Sequence, residues 1–499
     1  MLNENSTLQE QGCLTMQESK ETECKFPSAL QIKPLNKSQR VDALDILRGL
    51  ALVGILLMNI EWFNRAVVSL GAHATTLSGF DHAIGWLIRC FVEGKFYKLF
   101  ALIFGMGFAA MLLRAKEVGR PFGAWFSRRM FVLWLIGIAH MIFLWGGDIL
   151  HDYALAGFIL LAWVSNKQTD NPNAYLKLAL TWAMIPIIIA SVVGVIFGTS
   201  FDDAKFKTTW QNEFEIHALV EQQLSNELDT AAILKTPDGS YNETTQSDTE
   251  TKDPIELTDE EVKAQAVADL VEQRKEMQTD IAKEDAAFTQ KSYWEATKYR
   301  LGFTGFMVLI SPVISLLVLV PIFILGFWLV ITEKIIKHQQ HQEFFKTLMY
   351  TGLSLGIPLN IASLLIIQHP AALVSDLLQV VGQLLFYIAQ CLLSAGYLGL
   401  VICALNKKRW LKFLYAFSPM GQMALTNYLM QSIVLSLIFY GYAGGQYGEI
   451  SRTPQMLIVL VIILSQLFFS QWWLNRYRFG PMEWLWRSLT YKEIQVMKK

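Results

Sequence analysis

Apolar runs of about twenty residues recur along the chain, each long enough to cross the roughly 30 Å hydrocarbon layer as a helix. Ten spans are expected, at 44–63, 96–114, 128–145, 149–165, 175–198, 304–331, 346–366, 377–404, 417–441 and 455–475. Between the first two, Phe80 to Val92 reads as a short helix at the interface. The expected fold class is all-α: a polytopic membrane helical bundle of about ten transmembrane helices, with a long hydrophilic insertion between spans five and six. Lys and Arg gather in every second connection, for example Arg114, Lys116, Arg120, Arg128 and Arg129 between spans two and three. Because basic connections stay on the cytoplasmic side, both termini are expected there.

Composition agrees with this pattern, since 53% of the 499 residues are apolar and only 17% are charged. The formal net charge of −1 gives no reason to expect a nucleic-acid partner, and membrane lipids are the expected surroundings. Residues 1–41 are polar, without the apolar core of a secretion signal, and read as a disordered cytoplasmic tail. The remainder divides into a five-helix membrane half (42–198), an acidic, partly helical external insertion (199–300), a second five-helix half (301–477) and an interfacial helix with a short tail (478–499). Within the insertion, Lys235 to Pro254 reads as flexible, and Thr258 with Glu261 forms a capping-box pattern opening a charged helix to about Gln290. That helix is expected to be a solvated lid or spacer. The five cysteines, Cys13, Cys24, Cys90, Cys391 and Cys403, show no spacing for a metal site or a disulfide framework.

Polar side chains inside the spans are where chemistry is expected, because a charge in lipid is costly unless it faces protein or water. Arg48 lies one turn into span one, and Asn59 follows eleven residues later on the same face, about 16 Å along the axis. Arg48 has a plainer reading too, as a partner of Asp45 or a snorkelling interface residue. At the expected external surface, His73, Asp81 and His82 lie in the first loop, and Glu93, Lys95 and Lys98 open span two. His140 sits near the end of span three, and the short connection Gly146-Gly147-Asp148-Ile149-Leu150-His151-Asp152 follows it. An imidazole oriented by a carboxylate is the usual general base at neutral pH, so Asn59, His82, His140, Asp148 and His151 form a candidate proton-handling group. Asp148 stands between a glycine pair and a helix start, where a helix cap and a catalytic orienter look alike. No three- or four-ligand zinc spacing is present, and no metal is expected. Span nine carries a polar stripe of Gln422, Thr426, Asn427, Gln431 and Ser432, whose plainer reading is interhelical hydrogen bonding. After span ten, Pro481 opens an amphipathic helix with Trp484 and Trp486, in which Glu483 and Arg487 are spaced to pair, expected to lie flat on the cytoplasmic leaflet.

Several of these pieces occur together in one family. Asp45-Ile-Leu-Arg48-Gly49, Lys95-Phe96 leading into Leu102-Ile-Phe-Gly105-Met-Gly107, Gly147-Asp148-Ile149-Leu150, Ala424-Leu-Thr-Asn427-Tyr428 with Gln431, and Gly480-Pro481-Met-Glu483-Trp484 through Tyr491 resemble the YeiB family of bacterial multipass membrane proteins. The resemblance covers most of 42–491, and the insertion is longer than that family's pattern. Its fold is similar to that of membrane acyltransferases such as heparan-alpha-glucosaminide N-acetyltransferase. Arg48 and Asn59 echo the Arg-to-His spacing of the bacterial acyltransferase-three family, with Asn in place of His. The resemblance implies acyl transfer in a bacterial inner membrane, from cytoplasmic acyl-CoA to an external glycan or small-molecule acceptor. In that scheme Arg48 and Arg129 hold the donor phosphates, and His140, oriented by Asp148, deprotonates the acceptor. Asn59 supports the oxyanion, and His82, Lys95, His151 and Gln431 line the acceptor side. A homo-oligomer is compatible with this scheme. A solute transporter and a non-catalytic scaffold are the alternatives.

Overall fold

The computed structural model describes residues 42–67, 79–119, 121–166, 171–198, 259–369 and 376–499, with scattered positions between 215 and 224. The expected tail 1–41, His73, Lys235 to Pro254 and Thr258 lie outside the described residues. The helices are α1 (Asp42–Asn64), α2 (Gly79–Phe91), α3 (Lys95–Glu117), α4 (Gly123–Phe143), α5 (Leu150–Asn166), α6 (Pro172–Gly198), α7 (Asp259–Thr289) and α8 (Tyr293–Ile314). A π-helical turn, Ser315–Leu319, joins α8 to α9 (Val320–Ile331). There follow α10 (Gln342–Gln368), α11 (Asp376–Leu405), α12 (Lys408–Tyr415), α13 (Ser418–Gln422), α14 (Ala424–Phe439), α15 (Arg452–Arg476) and α16 (Pro481–Tyr491).

The protein is an all-α polytopic bundle. Among the described residues, eight helical segments are long and apolar enough to cross a membrane, and two shorter apolar helices, Leu150–Val164 and Ala424–Phe439, fall where spans four and nine are expected. Two expected spans differ in form. Span six starts earlier, at Tyr293, and carries the π turn, because Pro312 removes a backbone donor and the chain widens one turn later. Span nine is broken at Met423 into α13 and α14. The reason lies in α16: the Glu483 carboxylate turns inward and accepts from the backbone N–H groups of Leu425 (2.7 Å) and Thr426 (3.1 Å) and from the Thr426 hydroxyl. It thereby caps α14 from outside its own helix, satisfying donors that a continuous span would have used internally.

Helices in lipid gain no hydrophobic drive from touching one another, so close approach and van der Waals contact must hold them. Gly105 of α3 and Gly326 of α9 allow this: a Cβ at either would collide with the backbone of Phe323 or Leu102 across the contact. Around that crossing a large core forms, including Leu47, Met106, Phe108, Phe126, Phe323 and Phe327. A second cluster, with Leu56, Phe63, Trp145, Phe288, Phe439 and Tyr440, joins the C-terminal parts of α1 and α14 to α7. Here this is termed the insertion end. A small third cluster sets Ile216, Val220 and Leu224 against Val267, Leu270 and Val271 of α7.

Helix α4 runs between the two ends. Its first half meets α16, where the Trp486 indole donates to the Arg129 carbonyl (2.8 Å) and Arg128 donates to the Thr490 carbonyl (3.2 Å). Its last turn meets the insertion end. Leu485 and Leu489 of α16 are exposed while Trp486 and Thr490 turn inward, so the helix is amphipathic as expected and is also strapped to two others.

Candidate functional site

The site begins with the turn after α4. Arg300 of α8, only 1% exposed, donates from Nε to the Ile142 carbonyl (3.0 Å), from Nη1 to the Leu144 carbonyl (3.3 Å) and from Nη2 to the Thr297 hydroxyl (3.0 Å). A cation thus satisfies the orphan carbonyls at the C-terminus of α4 and fixes its exit. Trp145 then folds back, stacking on Phe63 at 4.7 Å and presenting its ring edge to His140 at 6.4 Å.

Asp148 is the centre of the arrangement. Its Oδ1 lies 2.9 Å from His140 Nδ1 and 3.4 Å from the Tyr428 hydroxyl, and its Oδ2 accepts from the His151 backbone N–H (3.0 Å) and faces His151 Nδ1 at 3.2 Å. All four residues are buried. A carboxylate can only accept, so the proton of neutral His140 sits on Nδ1, leaving the Nε2 lone pair outward from the pair. That Nε2 is buried and has no hydrogen-bond partner. Asp148 therefore caps α5 and orients His140 at the same time; the two roles that look alike in sequence are filled by one side chain.

Close approach of α5 to α4 makes this possible. A Cβ at Gly137, one turn before His140, would lie 2.6 Å from the His151 nitrogen and 2.7 Å from Asp148 Oδ2, distances real carbon atoms do not tolerate. Beyond His151 the polar line continues: its Nε2 is 3.5 Å from Asp152 Oδ1, and Asp152 receives the hydroxyls of Ser311 in the last turn of α8 and Ser315 in the π turn.

The other expected residues fall in different places. Asn59 is buried on α1, one turn before Phe63, and is not hydrogen-bonded to His140 or Asp148. Arg48 pairs with Asp45 at 3.0 Å. Arg129 is 9% exposed, its guanidinium 3.6 Å above the Trp486 ring, and it forms no ion pair with a described residue. His82 lies on the exposed side of α2, whereas its neighbour Asp81 accepts from the Thr453 backbone (2.8 Å) at the start of α15. Lys95 is fully buried, donating to the Arg89 carbonyl (2.7 Å) beside the Phe386 ring, and Lys98 donates to Gln390 of α11. Gln431 donates to Gln466 of α15 (2.9 Å), which donates to the Asn427 carbonyl (2.8 Å), while the Asn427 amide reaches Ser470 (2.9 Å). Of the stripe, Asn427 and Gln431 are thus spent on α15 and Thr426 on α16. Tyr428, Gly137, Arg300 and Trp145 were not anticipated as parts of the site.

Next to the His140 turn is a hollow of about 20 Å³, room for one water, lined by Trp62, Trp145, Glu284, Phe288, Arg300 and Tyr440 among others. Helix α7 roofs it: Phe288 stacks on Tyr440 at 4.6 Å, and both Glu284 oxygens accept from the Val67 N–H at 3.1 Å. Burial pushes the Glu284 carboxyl up to about 7, against the opposing effect of the Val67 and Tyr299 hydrogen bonds. Among the described residues no group of three or more His, Cys, Asp or Glu side chains is placed to hold a metal ion.

Residues 330–493 match the family described as "Protein of unknown function (DUF418)". The chain is 29% identical over 474 residues to "Uncharacterized protein YxaH" of Bacillus subtilis (strain 168), covering 94% of this chain and 98% of that one. It is 22% identical over 457 residues to "Uncharacterized protein YeiB" of Escherichia coli (strain K12), covering 91% and 96%. No solved structure matches the chain. The family match covers the C-terminal part of the chain, and the similarity to the YxaH and YeiB proteins extends over more than nine-tenths of it.

Proposed function

We propose that this multipass membrane protein transfers an acyl group from a cytoplasmic acyl-CoA to a hydroxyl or amine of an external glycan or small molecule, in a bacterial inner membrane with both termini inside. The observation that carries the reading is His140: buried, held at Nδ1 by Asp148, with its Nε2 unpartnered. This is the arrangement of a general base awaiting a proton. The acceptor O–H or N–H attacks the thioester carbonyl, its proton passes to His140 Nε2, and the C–S bond breaks with the coenzyme A sulfur leaving as thiolate and taking up that proton. Arg129 and His140 stand eleven residues apart on α4, about 16 Å, which sets the reach between donor phosphates and base. The aromatic and charged lining of the hollow, with Trp62, Trp145 and Arg300, suits an acceptor bearing hydroxyls, admitted when α7 lifts.

The test is release of free thiol from acetyl-CoA by the purified protein in liposomes carrying sugar acceptors. Wild-type protein is expected to release thiol and His140→Ala to lose it while retaining its folded elution profile. Equal release by a folded His140→Ala protein would overturn the assignment of the base.

A second reading, proton-coupled transport, is favoured by the line His140–Asp148–His151–Asp152–Ser311, since chains of acid and imidazole groups in membrane helices serve as proton relays. It requires proton flux across sealed liposomes that His151→Ala abolishes, without thiol release.

A further inference from the structure

The α16 end holds a buried cation whose surroundings ask for an anion. Arg129 is nine-tenths buried, its Nε has no hydrogen-bond partner, and it forms no ion pair with a described residue. Arg487 on α16 and Arg48 on α1, the latter paired with Asp45, both act on it with charge of its own sign. Burying a guanidinium among like charges is unfavourable unless something negative joins them. Stacking on Trp486 at 3.6 Å, with Trp125 at 6.0 Å, supports the plane of the group and leaves its edges for hydrogen bonding.

The three arginines come from separate elements and are fixed in place. Arg48 Nη1 is held by Asp45, and its Nη2 crosses α3 at Gly107, where a Cβ would be 3.2 Å away. Arg487 lies against the Phe479 ring at 4.6 Å. Helix α16, which supplies Trp486 and Arg487, is tied down by Glu483 on the start of α14, by the Trp486 bond to the Arg129 carbonyl and by Arg128 on Thr490. A preorganised fork of guanidiniums on an indole floor is the recognition chemistry of phosphate oxygens.

We infer that Arg48, Arg129 and Arg487, with Trp486 as floor and α16 as strap, form a binding site for a phosphate-bearing anion. Its position matches the donor end of the proposed transfer, and only the ligand's identity as acyl-CoA rests on that reading. A pyrophosphate of a soluble nucleotide and the phosphate of an anionic lipid share the required chemistry.

The full chain is placed in nanodiscs of neutral lipid, and pyrophosphate, ADP and coenzyme A are titrated in turn by calorimetry and by Trp fluorescence. A parallel set of nanodiscs contains phosphatidic acid. Saturable binding of any soluble probe, weakened about tenfold or more in Arg129→Gln and in the half-exposed Arg487→Gln, is the expected result. Arg129→Lys, which keeps the charge and loses the fork, should weaken it less. Occupation by lipid instead would appear as thermal stabilisation by phosphatidic acid that Arg487→Gln removes, with soluble probes competing. Wild-type protein that responds to neither soluble phosphate nor anionic lipid overturns the inference, as does binding indifferent to both substitutions. A protein that binds phosphate at this site yet never releases thiol from acetyl-CoA leaves the site standing and fails the transfer reading alone.

Discussion

His140 and Arg129 stand on one helix, and their surroundings differ in kind. At the insertion end Asp148 takes hydrogen bonds from three residues, Arg300 is spent on carbonyls and a hydroxyl, and Glu284 is tied to Val67 and Tyr299. Of the side chains of His140, Asp148, His151, Glu284 and Arg300, the His140 Nε2 is the buried atom left without a hydrogen-bond partner. At the α16 end the order is reversed: a guanidinium is buried beside others of the same sign, and the only carboxylate of the strap, Glu483, is committed to backbone N–H groups of α14. A polar network closed on itself positions a reactive atom, whereas an unbalanced one receives a partner from outside. Breaking either end should therefore give a different kind of defect.

The largest effect is expected at the closed network. Asp148→Asn puts an amide where a carboxylate fixed the His140 tautomer and should lower turnover about 10²- to 10⁴-fold, the range of a general base's contribution. Gly137→Ala should reproduce that loss without removing a titratable group, because the new methyl displaces His151 and Asp148. Overpacking of this kind also costs about 1–3 kcal/mol, seen as a lower Tm in detergent. Binding of phosphate probes should survive both changes. If phosphate affinity fell in parallel with turnover, the two ends would not be separable and the comparison would fail.

The strap is next. Glu483→Ala leaves the N–H groups of Leu425 and Thr426 without their acceptor, at about 1–3 kcal/mol, and should loosen α16. The expected readout is faster hydrogen exchange in 481–491 and weaker phosphate binding, with exchange near His140 unchanged. Glu483→Gln, which keeps one acceptor oxygen, should show a smaller version of the same pattern.

These expectations also mark where the sequence was readable. The bundle was legible because length and hydropathy are local properties, and each apolar run announces its own span. The breaks were not, because the N-terminus of α14 is capped from 58 residues away and the Ser315 contact of the π turn reaches back 163. The Asp148–His140 pair is only eight positions apart and could be named from residue type and spacing. Tyr428, 280 positions from Asp148, could not. Its neighbours on α14 stood out for being amides, yet an amide on a membrane helix looks the same whether it meets Gln466 or a ligand. Arg487 was legible only as half of a surface pair with Glu483, and the inward turn of Glu483 depends on the start of α14, which no local pattern discloses.

The roof over the hollow gives a pH-dependent test. Glu284 ordinarily titrates near 4.5 and is raised by burial to about 7 when α7 is docked. A carboxyl raised on docking is protonated more readily in the docked state, so its stabilising effect is full below pH about 4.5 and is lost as pH rises through 7. Discounted for water at the rim, this amounts to about 1–2 kcal/mol. Hydrogen exchange in 280–289 should therefore be slower at pH 5 than at pH 8 after correction for intrinsic rates, and Glu284→Gln should flatten the difference. A dependence of opposite sign would mean that the Val67 and Tyr299 bonds, which favour the charged form, outweigh burial.

Tyr428→Phe should have the smallest effect of all. Its hydroxyl is 3.4 Å from Asp148 Oδ1, a weak bond compared with the 2.9 Å contact from His140, and removing it leaves the carboxylate three other donor contacts. The ring, 5.2 Å from the His140 imidazole, stays in place to fill the space. A loss of about 0.5–1.5 kcal/mol, at most roughly tenfold in turnover, is expected. A loss as large as that of Asp148→Asn would make the Tyr428 hydroxyl a proton donor or acceptor in its own right. The closed network would then have two outlets, and the contrast between the ends of α4 would rest on the arginines alone.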